Sequence, residues 1–298
     1  MKTAVIFPGQ GSQFIGMGRD LFDNFSEARA LFGKADSALG HKISEICFQG
    51  PEESLKDTLF QQLAVFVVSA VSYHLFISKK AIEVSYFAGL SLGEYTCLYA
   101  SRVLSFDNTL LLIKQRADFM AKAALNNPSC MLAVLGLEER DLAECNNDLF
   151  YIANLNCPAQ VVVSLHKQNK EEVIAYLQSQ GAKKIIELQV SGGFHSPFMK
   201  EAENRLKDAV FSMDFKDAQI PIVSNVDACA YTEREKIRHN LVKQLTSPVL
   251  WWKSIEFLKK EGISLFCEVG PSRVLKGILR KIDPSLQVSN YGTIEDFK

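Results

Sequence analysis

The chain has 298 residues, 47% of them hydrophobic and 22% charged. That is enough to bury a sizeable core and, at roughly 150 residues per domain, to form about two domains or one large domain with an insertion. Lys and Arg number 33 against 34 Asp and Glu, a formal charge of −1 that gives no cationic surplus for a polyanion and excludes nucleic acid as an expected partner. Seven scattered cysteines without a CxxC pair argue against a disulfide framework or a zinc site and point to a reducing, cytoplasmic setting.

The N-terminal MKTAVIFPGQGSQ turns polar after four apolar residues, too short for a signal-peptide core. Ala4–Phe7 reads as a buried strand entering a turn at Pro8-Gly9. Leu21, Phe25, Ala28 and Phe32 recur at helical spacing and predict one helix over Asp20–Leu39. Pro51-Glu52-Glu53-Ser54 is a helix start, and Gln61–Ser78 reads as a long buried helix. Its apolar-rich stretch, Leu63–Val71, falls short of the ~20 residues of a bilayer span, so no membrane association is expected. Val84–Ala88 predicts a strand, followed by helices at Tyr95–Ala100 and Phe106–Ala124.

The middle changes character. Strands are expected at Met131–Leu135, Tyr151–Asn154, Gln160–Ser164 and Lys184–Val190, with helices at Glu138–Cys145 and Lys170–Gln180. This βαββαβ order is the ferredoxin-like plan, placed at residues 126–189. Helices then return at Pro197–Met213, Thr232–Gln244, Val249–Glu261 and Ser272–Ile282, with strands at Ile220–Asn225 and Leu265–Val269. Strands alternating with helices imply a mostly parallel sheet covered on both faces. The expected fold is an α/β core, residues 1–125 and 190–298, carrying a small inserted α+β unit.

The strongest chemical signal is Gly89-Leu90-Ser91-Leu92-Gly93 between a predicted strand and a predicted helix. Such a turn exposes the serine at the strand's end, and the main-chain N–H of Leu92 then points to where an oxyanion would develop. A serine nucleophile needs a base. Of five histidines, His41, His166 and His239 sit among polar neighbours and His74 lies in the apolar helix. His195 stands in the Gly-rich loop Ser191–Pro197 after a predicted strand, where catalytic residues gather in open α/β sheets. The third member of such a constellation is open on these grounds: a carboxylate, or a neutral amide or carbonyl that orients the ring. Phe7–Gln13, FPGQGSQ, lacks the third Gly of a dinucleotide loop and any Gly-Lys-Ser/Thr. A main-chain N–H near Gln10 suits a second oxyanion donor better.

Taken together, FPGQGSQ at 7–13, GLSLGE at 89–94, KQRADFM at 114–120, NLNCPAQVVVS at 154–164, VSGGFHSPFM at 190–199, PIVSNVD at 221–227, VKQLTSPVLW at 242–251 and EVGPSRVL at 268–275 resemble the malonyl-CoA:acyl-carrier-protein transacylases, including the acyltransferases that serve polyketide synthases. The resemblance runs nearly end to end. It implies an α/β-hydrolase-like core with a ferredoxin-like insertion, and ping-pong transfer of malonyl from CoA to an acyl carrier protein in fatty-acid or polyketide synthesis. No cofactor is implied, and the precedent is a monomer.

Carried over by position, Ser91 is the nucleophile and His195 the base, and Gln244 offers its main-chain carbonyl to the imidazole. Gln10 and Leu92 form the oxyanion hole, and Arg116 pairs with the malonyl carboxylate, a task suited to a planar guanidinium. Without the resemblance, Arg116 would read as a surface helix arginine. Phe194 matches the aromatic of malonyl-selective members. One position departs: Leu90 stands where the family usually has His, which bears on acyl preference or on hydrolysis of the acyl-enzyme. The alternative is an acyl-thioester hydrolase that clears carrier proteins, and a further rival is a non-catalytic docking subunit.

Overall fold

The computed structural model describes residues 2–142 and 149–298. In chain order, β1 (Lys2–Phe7) leads through a glycine-rich loop to α1 (Arg19–Asn24), α2 (Ser26–Leu39), α3 (Ile43–Gln49), α4 (Glu52–Lys56) and α5 (Thr58–Lys79). Next come β2 (Tyr86–Gly89), α6 (Leu92–Ala100) and α7 (Phe106–Asn126). The middle holds β3 (Ser129–Leu135), α8 (Glu139–Leu142), β4 (Tyr151–Cys157), β5 (Gln160–His166), α9 (Lys170–Ser179) and β6 (Lys184–Glu187). The chain closes with α10 (Lys200–Ser212), β7 (Ile222–Val223), β8 (Ala230–Tyr231), α11 (Arg234–Lys243), α12 (Trp251–Lys260), β9 (Ile263–Val269), α13 (Val274–Ile282) and β10 (Gln287–Tyr291).

One sheet has the strand order β10-β9-β1-β2-β7-β8, parallel except for the β7–β8 pair. Along β1, Val5 and Phe7 enter the cluster built with α5, α6 and α7, while Ala4 and Ile6 enter the cluster of Trp251, Ile255, Leu275 and Leu279 from α12 and α13. Both faces are thus buried, as a parallel sheet requires. The second sheet is antiparallel, with order β4-β5-β3-β6. This is the ferredoxin-like strand order. Cys130, Leu132 and Val134 of β3 pack on α9, whereas the alternate residues Met131 and Ala133 face the larger core. Strand β4 is tied to that core: Leu155 N–H donates to Val249 O at 2.9 Å, and Val249 N–H to Ala153 O at 2.8 Å.

Several elements differ from the sequence reading. Asp20–Leu39 is two helices, because Phe25 is extended (φ −124°, ψ 128°) and sets its ring edge-on against Phe297, 6.3 Å between centroids. The predicted strand Ile220–Asn225 keeps only two paired residues, since Ser224 and Asn225 leave the sheet and Asn225 turns its amide to the site. Lys184–Val190 forms a strand only as far as Glu187, with one further bond from Leu188 N–H to Met131 O at 2.9 Å, before bending toward Gly192-Gly193. The Glu138–Cys145 helix is seen over Glu139–Leu142; Glu138 lies before its first turn, and residues 143–145 lie outside the described residues. Strand β10, unread in the sequence, pairs in parallel with β9.

Helix α5 is 22 residues long with a mean hydropathy of 1.5 over its most apolar window, long and apolar enough to cross a membrane, yet 83% of that window is buried in the fold. Asp57 caps it, its carboxylate accepting from Leu59 and Phe60 N–H. Phe66, fully buried at its centre, stacks on Phe106 and meets Tyr99 edge-on. Phe66→Ala should cost about 3–5 kcal/mol of unfolding free energy by urea titration; a loss under about 1 kcal/mol would mean that α5 and α7 close over the gap.

Candidate active site

Ser91 occupies the turn between β2 and α6 in an uncommon conformation for a side-chain-bearing residue (φ 52°, ψ −104°). Two glycines permit it. A Cβ on Gly89 would lie 1.9 Å from the carbonyl carbon of Gly93, and one on Gly93 would lie 2.2 Å from Phe7 O. The helix therefore starts in close contact with two strand ends. The turn is held from outside as well: Ser91 N–H donates to Asn225 Oδ1 at 2.7 Å, and Asn225 Nδ2 donates to Gly89 O at 2.7 Å.

His195 arrives from the other side, on a loop pinned to the antiparallel sheet. Gly193 N–H donates to Ser129 Oγ at 2.7 Å, and Ser164 Oγ donates to Phe194 O at 2.6 Å. His195 itself has φ 56°. Its Nε2 is 2.8 Å from Ser91 Oγ and its Nδ1 is 2.8 Å from the main-chain oxygen of Gln244. A carbonyl only accepts, so Nδ1 carries the proton and Nε2 is left to accept the Ser91 hydroxyl.

Arg116, on α7, has no exposed surface. Its Nη2 donates to Ser91 Oγ at 3.1 Å and to Gln244 Oε1 at 3.2 Å, and its Nη1 donates to Gln62 Oε1 at 2.6 Å. The guanidinium lies 4.9 Å from the centroid of the Tyr95 ring. Gln62 Nε2 reaches Gln10 Oε1 at 3.3 Å, and Gln10 Nε2 donates to Gln61 Oε1 at 2.7 Å. Four of the expected residues, Ser91, His195, Arg116 and Gln244, thus form one connected buried group. Gln10, Leu90, Ser91, Phe194 and His195 line a cleft of about 260 Å³ whose far wall is Met131, Ala133, Asn154 and Asn156 of the second sheet. Leu92 is buried at the first position of α6, where a main-chain N–H has no acceptor within the helix.

Three members were missed by the sequence reading: Gln62, Asn225 and Glu94. Glu94 and Asn225 lie inside blocks already singled out, GLSLGE and PIVSNVD, but nothing local marks their partners. Glu94 accepts from Gln244 Nε2 at 2.7 Å and from Asn225 N–H at 3.2 Å. Burial pushes its carboxyl up to about 7 against those two donors. Burial, and then the Arg116 charge, hold the His195 imidazole down at about 4, opposed by the Gln244 carbonyl.

The sequence pattern of the acyl transferase domain family matches residues 4–290. The chain belongs to that family. Among relatives, the malonyl CoA-acyl carrier protein transacylase of Bacillus subtilis is 39% identical over 99% of this chain and 95% of that protein. Its Staphylococcus aureus counterpart is 38% identical over 100% and 97%. Among solved structures, a type II PKS acyl-carrier protein in complex with its malonyl-transacylase matches with a TM-score of 0.95 at 32% identity, covering 100% of this chain and 98% of that one. The malonyl CoA-acyl carrier protein transacylase of Coxiella burnetii matches at 0.95 and 29%, covering 100% and 96%.

Because His195 is held at about 4, its neutral form persists well below the ordinary histidine range. Labelling of this acyl transferase by a serine-directed acylating probe should stay on its plateau from pH 7 down to about 5 and fall as pH drops through about 4. A midpoint near 6.5 would mean a solvated imidazole. The same depression means that the unfolded chain binds a proton that folded His195 refuses, which lowers stability as pH falls from about 6.5 toward 4. Glu94, raised to about 7, acts with the opposite sign as pH falls from about 7 toward the ordinary carboxylate range. The two should largely offset in the wild type, and the decline should show by urea titration in Glu94→Gln.

Proposed function

We propose that this enzyme moves a malonyl group from CoA to the phosphopantetheine thiol of an acyl carrier protein, through an ester on Ser91. The observation that carries the reading is Ser91 Oγ held between His195 Nε2 at 2.8 Å and Arg116 Nη2 at 3.1 Å. A nucleophile, its base and a buried cation meet at one oxygen. The transacylase names of the full-length relatives supply the acyl group and the carrier.

In the first half-reaction His195 Nε2 takes the hydroxyl proton as Ser91 Oγ attacks the thioester carbon. Main-chain N–H groups of Gln10 and Leu92 stabilise the oxyanion. The C–S bond breaks and His195 returns its proton to the leaving thiolate. In the second half-reaction the carrier thiol gives its proton to His195 and attacks the ester, and Ser91 leaves with that proton. Gln244 O keeps the imidazole in the required tautomer and stabilises the imidazolium.

The two prongs of Arg116 now donate to the neutral amide oxygens of Gln62 and Gln244. A malonyl carboxylate is the stronger acceptor and takes both prongs at once. Phe194, buried beside the cleft, narrows the room for a substituent on the malonyl carbon. Residues 1–125 and 190–298 are read as the catalytic core, with 126–189 as the subdomain that supplies the cleft's far wall. The enzyme is read as a soluble cytoplasmic monomer serving a fatty-acid or polyketide carrier, with α5 spent on its core.

Leu90 is half-buried against the apolar cluster of the α12 and α13 side and leaves the Ser91–His195 pair intact. A hydrolase of neutral acyl chains would have no use for a guanidinium clamp, and the relatives named above are transacylases.

Ser91→Ala should remove the malonyl adduct seen by intact mass after incubation with malonyl-CoA, and His195→Ala should slow acylation by about 10²–10⁴-fold. An adduct at full occupancy on the Ser91→Ala protein would overturn the nucleophile. Arg116→Ala should cost malonyl transfer about 2–5 kcal/mol, because the carboxylate is left buried without a partner. The ratio of malonyl to acetyl loading then falls about tenfold per 1.4 kcal/mol, and Arg116→Lys recovers only part of it. If kcat/KM for malonyl-CoA and acetyl-CoA fall by the same factor, Arg116 is structural and the carboxylate clamp is wrong.

A further inference from the structure

Glu94 follows Ser91 by three residues on the first turn of α6 and is 3% exposed. One of its oxygens, Oε2, accepts from the side-chain amide of Gln244 at 2.7 Å and from the main-chain N–H of Asn225 at 3.2 Å. Each of these two residues governs one half of the reacting pair. The Asn225 side chain grips the Ser91 turn at both ends, at Ser91 N–H and Gly89 O. The Gln244 main-chain oxygen orients His195, and its amide also reaches Ser91 O at 3.1 Å. Gln244 and Asn225 also meet directly, but only through a long Nε2–Oδ1 contact of 3.4 Å; Glu94 Oε2 is the shorter-range acceptor common to both.

We infer that Glu94 is a positioning residue whose single acceptor oxygen holds Gln244 and Asn225 in register, and so sets how the His195 imidazole meets Ser91 Oγ. The inference rests on the serine–histidine reading above. What it requires of position 94 is an acceptor at the right reach, with or without charge. A protonated carboxyl or a glutamine amide still presents a carbonyl oxygen to both donors. The competing role is charge balance for the buried Arg116, which requires the negative charge and tolerates a shift in its position.

Glu94→Gln and Glu94→Asp separate the two. Gln keeps the reach and drops the charge; Asp keeps the charge and withdraws the oxygen by about 1.5 Å, one carbon–carbon bond. Single-turnover malonylation of Ser91, followed by intact mass, should slow by no more than about threefold in Glu94→Gln and by about 10–100-fold in Glu94→Asp, the usual effect of misplacing a reacting group by an ångström. Gln244→Ala keeps its carbonyl but loses the amide that Glu94 holds. Combined with Glu94→Asp, it should slow the reaction little beyond the worse single variant, because both cut the same tether.

A Glu94→Asp protein faster than Glu94→Gln overturns the inference in favour of charge balance, and losses that multiply in the double variant overturn the route through Gln244. Should Glu94→Asp fail to fold, a tenfold or greater drop in Glu94→Gln at unchanged Tm overturns the inference equally. Failure of the underlying reading looks different: wild-type protein would form no malonyl ester on Ser91.

Discussion

Because a peptide carbonyl accepts hydrogen bonds and cannot donate them, Gln244 O forces the His195 proton onto Nδ1 and leaves Nε2 bare toward Ser91. A carboxylate in that place would orient the ring equally well but would add a charge to a site that already buries Arg116 and Glu94. Burial, and then the guanidinium beside it, keep the imidazole uncharged at rest, and a neutral carbonyl opposes them less than a carboxylate would. The surrounding fold serves this arrangement. The parallel sheet delivers Ser91, the antiparallel sheet delivers the His195 loop, and the end of α11 delivers Gln244.

The parts of the molecule legible in the sequence are those specified by neighbours in the chain. The strand–serine–helix turn can be read because Gly89 and Gly93 must lack side chains for the elbow to close, and that demand is written within five residues. The Gly-rich loop around His195 is legible for a similar reason. The alternation of the ferredoxin-like unit and the apolar periodicity of α5 and α7 reflect burial on faces with simple repeats.

What escaped depends on partners far away in the chain. The role of Arg116 is reached only through the family resemblance, because it sits on a helix whose pattern reads as amphipathic and its burial comes from Gln62, Tyr95 and Gln244, brought by three other segments. Glu94 and Asn225 look like ordinary polar residues until the fold places them 3.2 Å apart. The break at Phe25 preserves the apolar spacing that predicts a single helix, and only a ring near the C-terminus explains it. Strand β10, QVSNY, has little apolar alternation because it is an edge strand, paired on one side alone.

The place of β1 between β2 and β9 has a consequence for biosynthesis. One neighbour of this central strand emerges early, at residues 86–89, but the other waits for residues 263–269. The apolar α5 is made long before that second neighbour exists. At about 5–20 residues per second, the interval between the end of α5 and the start of β9 is roughly 10–40 s on the ribosome. For that time an apolar helix of membrane-spanning length belongs to a chain whose sheet cannot yet close over it. The helices that cover most of α5 are already made by residue 126, so the arrangement ties only closure of the central sheet, and of the α5 face beneath it, to the synthesis of β9.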